Sequence, residues 1–244
     1  MVRALNSGRF PDIAIELEQQ QRLAKADAYL YWLFENLAPY IGRRVLDVGC
    51  AIGNITQFFL DRERVVGIDV APEMVAESRR RFAGRENMRF EVYDITDPAV
   101  LALREERLDT VVCVHVLEHV ADDVTALRHM RALLPVGGRL ILLVPVVKWV
   151  WGVLDEATGH QRRYTWRELE RLLQDMGFAV EDHWYVNFLA IFGWFFTGRI
   201  LKRKIIPMGQ YDLYNRLTPL LARLETKVRP PIGLSVACVA RAVE

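Results

Sequence analysis

The sequence predicts an α/β fold in which a mostly parallel, seven-stranded sheet carries helices on both faces. Three observations carry that expectation. Short apolar runs alternate with segments of helical periodicity. The first run, Val45-Leu46-Asp47-Val48, empties into the small-residue turn Gly49-Cys50-Ala51-Ile52-Gly53. The second, Gly67-Ile68-Asp69-Val70, carries a carboxylate at its tip. Alternation of this kind gives parallel strands joined by crossover helices. A glycine-bearing turn followed by an acid on the next strand is how such a sheet grips a nucleoside.

The elements follow in order. Residues 11–38 read as one helix, with Ile13, Leu17, Leu23, Leu30, Phe34 and Leu37 at near-helical spacing. The first strand is 44–48, and a helix opening near Asn54 carries Ile55, Phe58, Phe59 and Leu60. The second strand is 64–69, and Pro72-Glu73 start a helix that reaches Phe82. The third strand, 88–93, ends at Asp94, and Thr110 to Val114 form the fourth. A helix from Asp123 to Leu134 stops before Pro135 and Gly137-Gly138, which turn into the fifth strand, 139–144. A polar loop from Pro145 to Tyr164 precedes the capping box Thr165-Trp166-Arg167-Glu168, and Gly177 closes that helix. The sixth strand is Ala179 to Tyr185 and the last is Ser235 to Ala240, with a largely helical and irregular insert between them.

A chain of 244 residues with a net charge of +1 fits one domain and lacks the basic field that nucleic acid requires. Cys50, Cys113 and Cys238 show neither metal spacing nor a disulfide framework, and read as buried thiols of a cytoplasmic protein. No apolar core of signal length follows Met1.

Asp47-Val48-Gly49-Cys50-Ala51-Ile52-Gly53 resembles the first motif of the class I S-adenosylmethionine (SAM) methyltransferases. Asp69, Asp94-Ile95, Leu117-Glu118-His119 and Pro135-Val136-Gly137-Gly138 match that family's later motifs in order, and the resemblance is strong over residues 40–145. Ala51 stands where many members have a second glycine. The competing cofactor, NAD, wants a third glycine and a longer turn for its pyrophosphate. The resemblance implies a Rossmann-like sheet with an N-terminal helical lid and SAM as cofactor. It divides the single domain into a cap (1–40), a SAM-binding core (41–145) and an acceptor-side half (146–244) holding an apolar insert at 186–232. Roles carry over by position. Asp47, with the backbone of Gly49, Cys50, Ala51 and Gly53, would cradle the methionine part. Asp69 would accept from the ribose hydroxyls. Val70 and Met74 would flank the adenine, with Asp94 and Ile95 at its amine and His115 beside the cofactor.

Three segments bear on the acceptor. His115, Glu118 and His119 share a face if their segment turns helically. This is similar to the coenzyme Q O-methyltransferases and small-RNA 2′-O-methyltransferases, which carry Glu-x-x-Glu-His there and bind a divalent ion; His115 replaces their first Glu. His160 is the candidate fourth ligand. The alternative is His119 or His160 as a base without metal, with His115 and Tyr164 completing the polar group around the methyl. Arg162 and Arg163 could clamp an anionic acceptor or brace the loop against Asp155, Glu156 or Glu168. The aromatic segment from Trp184 to Thr197, which contains Trp194 and is followed by Lys202-Arg203-Lys204, is too short to span a bilayer. It reads as a packed core or homodimer helix, a lid over an apolar acceptor, or an interfacial helix serving a lipid-linked one. Tyr29, in the N-terminal helix, could close the same pocket. The expected activity is methyl transfer from SAM to a small or lipid-like apolar acceptor at oxygen. Transfer to carbon or nitrogen, and SAM binding by a non-catalytic scaffold, are the alternatives.

Overall fold

The computed structural model describes residues 13–205 and 207–244. Seven strands form one sheet: β1 (Arg44–Val48), β2 (Arg64–Asp69), β3 (Met88–Val92), β4 (Thr110–Val114), β5 (Arg139–Pro145), β6 (Phe178–Val186) and β7 (Ser235–Ala242). Their order is β3-β2-β1-β4-β5-β7-β6. β7 runs antiparallel to both neighbours and the other pairings are parallel. The predicted fold class is thus the observed one.

Both faces of the central strands are covered, which explains their unbroken apolar runs. Leu46, Val66, Val111 and Leu140 join one core cluster, while Val45, Val65, Val112 and Ile141 join the other. α4 (Asp123–Leu133) and α6 (Trp166–Asp175) cover the first face through Met130 and Leu169. α2 (Asp27–Leu37) covers the second through Leu33 and Leu37. Each buried aliphatic side chain contributes about 1.5–3 kcal/mol.

Several boundaries differ from expectation. Residues 11 and 12 of the long N-terminal helix lie outside the described residues. The rest breaks into α1 (Ile13–Leu23) and α2, because the chain leaves helical geometry at Ala26. One straight rod could not both reach Asn54, which donates to the Gln20 carbonyl, and lay Leu37 on the sheet. The helix expected at Asn54 is a single 3-10 turn, Thr56–Phe59, because the chain must re-enter the sheet at Arg64. The loop after β5 holds a 3-10 turn, Lys148–Val150, and α5 (Val153–Ala157). The insert contains α7 (Ala190–Phe195), a π turn (Phe196–Ile200) and α8 (Met208–Val228), which packs on α2. α3 (Pro72–Arg81) and the capping box of α6 form as read.

Gly49 leaves β1 at φ +68°, and a Cβ there would lie 2.3 Å from Val116 Cγ2. Gly84 has φ +82° with open space around it. Alanine at Gly84 should therefore cost only the left-handed backbone penalty, about 1–2 kcal/mol. Alanine at Gly49 adds a clash against the turn after β4, roughly 1–3 kcal/mol more. Denaturant unfolding of Gly49→Ala and Gly84→Ala measures that difference directly.

Candidate active site

β1 has β2 on one side and β4 on the other, so the chains leaving β1 and β4 diverge above the sheet. Ligands bind at such a switch point, beyond the carboxyl ends of the strands. A cavity of about 1310 Å³ opens there. That exceeds the usual 300–1000 Å³ of a small-molecule site and leaves room for a cofactor and a second reactant.

The half above β1 and β2 is polar. Asp69 accepts from the backbone N–H of Ala51 (2.9 Å) and of Ala71 (2.9 Å), so the turn is tied to the strand-tip acid. The backbone N–H groups of Gly49 and Cys50 both donate to the Ile68 carbonyl. Beneath the turn, buried Asp47 accepts from the Thr56 hydroxyl. Burial, helped by the charge of Asp69, pushes its carboxyl up to about 7 against the pull of that hydroxyl. Burial also raises Asp69, although the N–H groups of Ala71, Ala51 and Val70 offset part of it. Val70, Asp94 and Ile95 complete this half, with Asp94 Oδ1 held by the Thr96 N–H at 2.8 Å. From α1, Glu16 and Gln20 form the roof.

A cluster of charged and imidazole groups follows β4. His115 has φ +54°, a left-handed conformation for a side-chain-bearing residue at the cavity wall. Its Nδ1 lies 3.2 Å from Glu118 Oε1. Glu118 is fully buried, and its Oε2 has no hydrogen-bond partner among the described residues. Burial pushes Glu118 up, yet the His115 hydrogen bond and the neighbouring histidines outweigh it and hold the carboxyl below its usual value. Burial pulls His119 down, opposed by Glu118. Ligand atoms of Glu118, His119 and His160 lie within 4.8 Å of one another.

His160 is oriented from behind. Its Nδ1 lies 2.8 Å from Asp155 Oδ1. Asp155 Oδ1 also accepts from Arg163 Nε (2.7 Å), and Oδ2 accepts from Trp194 Nε1 (3.1 Å) and the Gly152 N–H (3.0 Å). Burial would raise this carboxyl, but those donors together hold it at about 2. The Trp194 ring lies parallel to His160 and under the Arg163 guanidinium, 5.3 Å from it.

The half beyond the histidines is mostly apolar, with Leu30 and Leu33 from α2, Gly193 and Trp194 from α7, and Leu217 and Leu221 from α8. Asn187, at φ +64° after β6, pins this wall: it donates to the Tyr29 hydroxyl (3.2 Å) and accepts from the Tyr214 hydroxyl (2.9 Å).

The cavity brings together Asp47, Gly49, Cys50, Ala51, Asp69, Val70, Asp94, Ile95, His115, His119, His160, Arg163, Trp194 and Tyr29 of the sequence-derived set. Four expected residues are not on its wall. Met74 is buried beneath it, in the core side of α3. Gly53 faces Phe82, whose ring a Cβ would meet at 2.3 Å. Tyr164 donates to Asp123 (2.8 Å) and is buried there, away from the cavity wall on which it was expected. Arg162 pairs with the same Asp123 (2.6 Å) and so braces the start of α4. Arg163 bonds Asp155 through Nε and so braces the loop, while its buried Nη1 has no hydrogen-bond partner among the described residues. His115 meets Glu118, but the group of ligand atoms that lie within 4.8 Å of one another is Glu118, His119 and His160, without His115. Sequence reading missed Asp155 as the partner of His160, and it missed Asn187, Tyr214 and the α8 wall. The Asp155-x4-His160 spacing was visible; the α8 contacts had no local signal.

A sequence profile of the methyltransferase domain family matches residues 10–183. An uncharacterized 37.1 kDa protein in transposon TN4556 of Streptomyces fradiae is 31% identical over 188 residues, covering 70% of this chain and 53% of that protein. The chain thus spans about half the length of that relative. The ubiquinone biosynthesis O-methyltransferase of Aeromonas salmonicida is 24% identical over 184 residues, covering 70% of this chain and 77% of that protein. A solved S-adenosylmethionine-dependent methyltransferase from Mesorhizobium loti shares the fold, with a TM-score of 0.58, 17% identity and coverage of 86% and 95% of the two chains.

The two site carboxylates should titrate in opposite senses. Asp47 is raised on folding, so its ionisation destabilises the ligand-free protein as pH rises from about 4 through about 7. Asp47→Asn should flatten that decline and gain on the parent by pH 8. Asp155 is lowered, so its contribution is present above about pH 4 and lost as pH falls through about 2. Asp155→Asn should cost about 3–5 kcal/mol at pH 7, because Arg163 stays buried without its carboxylate, and less at low pH. Calorimetric melting temperatures across pH check both.

Proposed function

The chain belongs to the class I SAM-dependent methyltransferases, and from that premise we propose that it methylates a hydroxyl oxygen of a largely apolar acceptor. The observation that carries this reading is the Asp155–His160 pair standing between the polar cofactor half and the apolar half of one cavity. The O-methyltransferase named among the relatives supports oxygen as the methylated atom.

Asp47, Asp69, Asp94 and the turn after β1 would hold the cofactor, with His119 and His160 lining the same cavity. The acceptor lies among Leu30, Leu33, Trp194 and Leu217. When bound, SAM would supply an activated methyl: its carbon would bond to the hydroxyl oxygen as the carbon–sulfur bond breaks, sulfur keeping the electron pair. The hydroxyl proton passes to His160 Nε2, since Nδ1 is committed to Asp155. Asp155 sets the ring's tautomer and steadies the imidazolium. Walls from α1, α2, α7 and α8 exclude water and align the reactants, which is most of what this reaction asks of a protein.

A divalent metal is a second reading, favoured by one observation: the unpartnered Oε2 of Glu118 beside His119 and His160. Two imidazoles and a carboxylate suit a transition ion, and the Asp155 bond behind His160 is the outer support such ligands usually have. A bound ion would acidify the acceptor hydroxyl. Calorimetric titration of chelator-treated protein with zinc or manganese separates the readings: binding lost in His119→Ala supports the ion, and none leaves His160 as base.

The main test offers labelled SAM to alkyl-substituted phenols and catechols and to the matching anilines. O-methyl products are expected. His160→Ala should lower kcat about 10²–10⁴-fold while SAM affinity changes less than about twofold. Methylation at nitrogen or carbon, or an unaffected kcat, overturns the assignment.

A further inference from the structure

Beside the mouth of the cavity the insert exposes far more apolar surface than the rest of the chain. On α8, Leu213, Leu217, Leu220, Leu224 and Val228 recur at helical spacing and are 41–71% exposed. On α7 and the π turn, Phe192, Phe196 and Ile200 are 52–60% exposed. A soluble surface scatters such residues singly; contiguous stripes mark an interaction face. Leu189, Leu213 and Leu217 belong both to this surface and to the cavity wall, so the apolar half of the cavity opens into it.

The charge around the stripes selects the partner. Residues 196–232 carry eight Lys and Arg against two carboxylates, in a chain whose net charge is only +1. One of the two carboxylates, Glu225, is turned inward to the backbone N–H groups of Asn187 and Phe188. Among the described residues Lys202, Arg203 and Lys204 join no ion pair. A second copy would present the same positive charge and be repelled. No helix among the described residues is long and apolar enough to cross a membrane.

We propose that the α7–α8 face docks in the plane of an anionic lipid bilayer, Phe192, Phe196 and the α8 leucines sinking into the headgroup–acyl boundary and Lys202, Arg203 and Lys204 contacting acidic headgroups. The cavity mouth then opens onto the acyl layer, and an apolar acceptor enters without crossing water. This last step rests on the apolar-acceptor reading above; the docking does not.

Sedimentation of the full chain with vesicles, in the absence of cofactor and acceptor, tests the docking. The protein should pellet with equimolar phosphatidylglycerol and phosphatidylcholine, hardly with phosphatidylcholine alone, and less as salt rises. Each basic residue near the surface contributes about fivefold in partitioning, so the triple change Lys202→Gln, Arg203→Gln, Lys204→Gln should weaken it on the order of 100-fold. Leu220→Glu with Leu224→Glu, two exposed positions off the cavity wall, should abolish it with the melting temperature unchanged. No pelleting at low salt, or pelleting indifferent to both variant sets, overturns the proposal. So does a dimer, seen by sedimentation equilibrium, that Leu220→Glu dissociates while vesicles bind neither form. Failure here leaves the transfer assay with soluble phenols standing, and failure of that assay leaves vesicle binding standing.

Discussion

The divergence of the chain above β1 and β4 is the constraint on which the rest depends. β2 and β3 are laid down on one side of β1, and β4 and β5 on the other. No connection can roof the gap between them. The turn after β1 fits only because Gly49 lets its backbone approach Val116 at the start of the β4 turn. The turn after β4 holds His115 in a left-handed conformation and buries Glu118 in the cavity wall. Cofactor and acceptor halves meet because both turns rise from adjacent strand ends.

A second dependence is electrostatic. Asp155 collects donors from α5, from the loop after it and from α7, and no oxygen of that buried carboxylate is left unmet. An ion pair of this kind adds little net stability, because desolvation cancels most of its attraction. What it does is fix geometry: one carboxylate sets the His160 ring, the Arg163 fork and the Trp194 indole together. The insert is thereby coupled to the His160 ring, since moving α7 withdraws the Trp194 donor from the acid that holds it.

The cofactor half was legible because its signals are local. A strand, a small-residue turn and a strand-tip acid lie within about two dozen residues, and each residue's task follows from its position on a strand end. The alternation of strands and helices was legible for the same reason. Element type failed where tertiary demands overrode periodicity, as in the break at Ala26 and the short turn at Thr56. Met74 and Tyr164 misled because neighbours in sequence point to different sides: Tyr164 turns to Asp123 on α4 while Arg163 turns to Asp155. The acceptor wall was illegible for a deeper reason. Tyr29 was expected at the pocket, but it meets Asn187 and Tyr214 from two distant segments that nothing in its own announces.

That wall is built so that it can change without disturbing the cofactor site. The insert leaves the sheet at Val186 and returns at Gly233, and a Cβ on Gly233 would lie 2.3 Å from the Val186 carbonyl oxygen. Its two ends are therefore in contact, and everything between is a closed excursion from the β6–β7 edge. The entropy of closing such a loop grows only slowly with its length, so residues can be gained or lost there at small cost. Glu225 and Asn187 tie the excursion back to the end of β6, and α8 rests on α2, which lies between it and the second face of the sheet. The turn after β1 shares no backbone hydrogen bond with the insert among the described residues. Away from Trp194, the insert can thus vary with the backbone hydrogen bonds of the β1 turn unaltered.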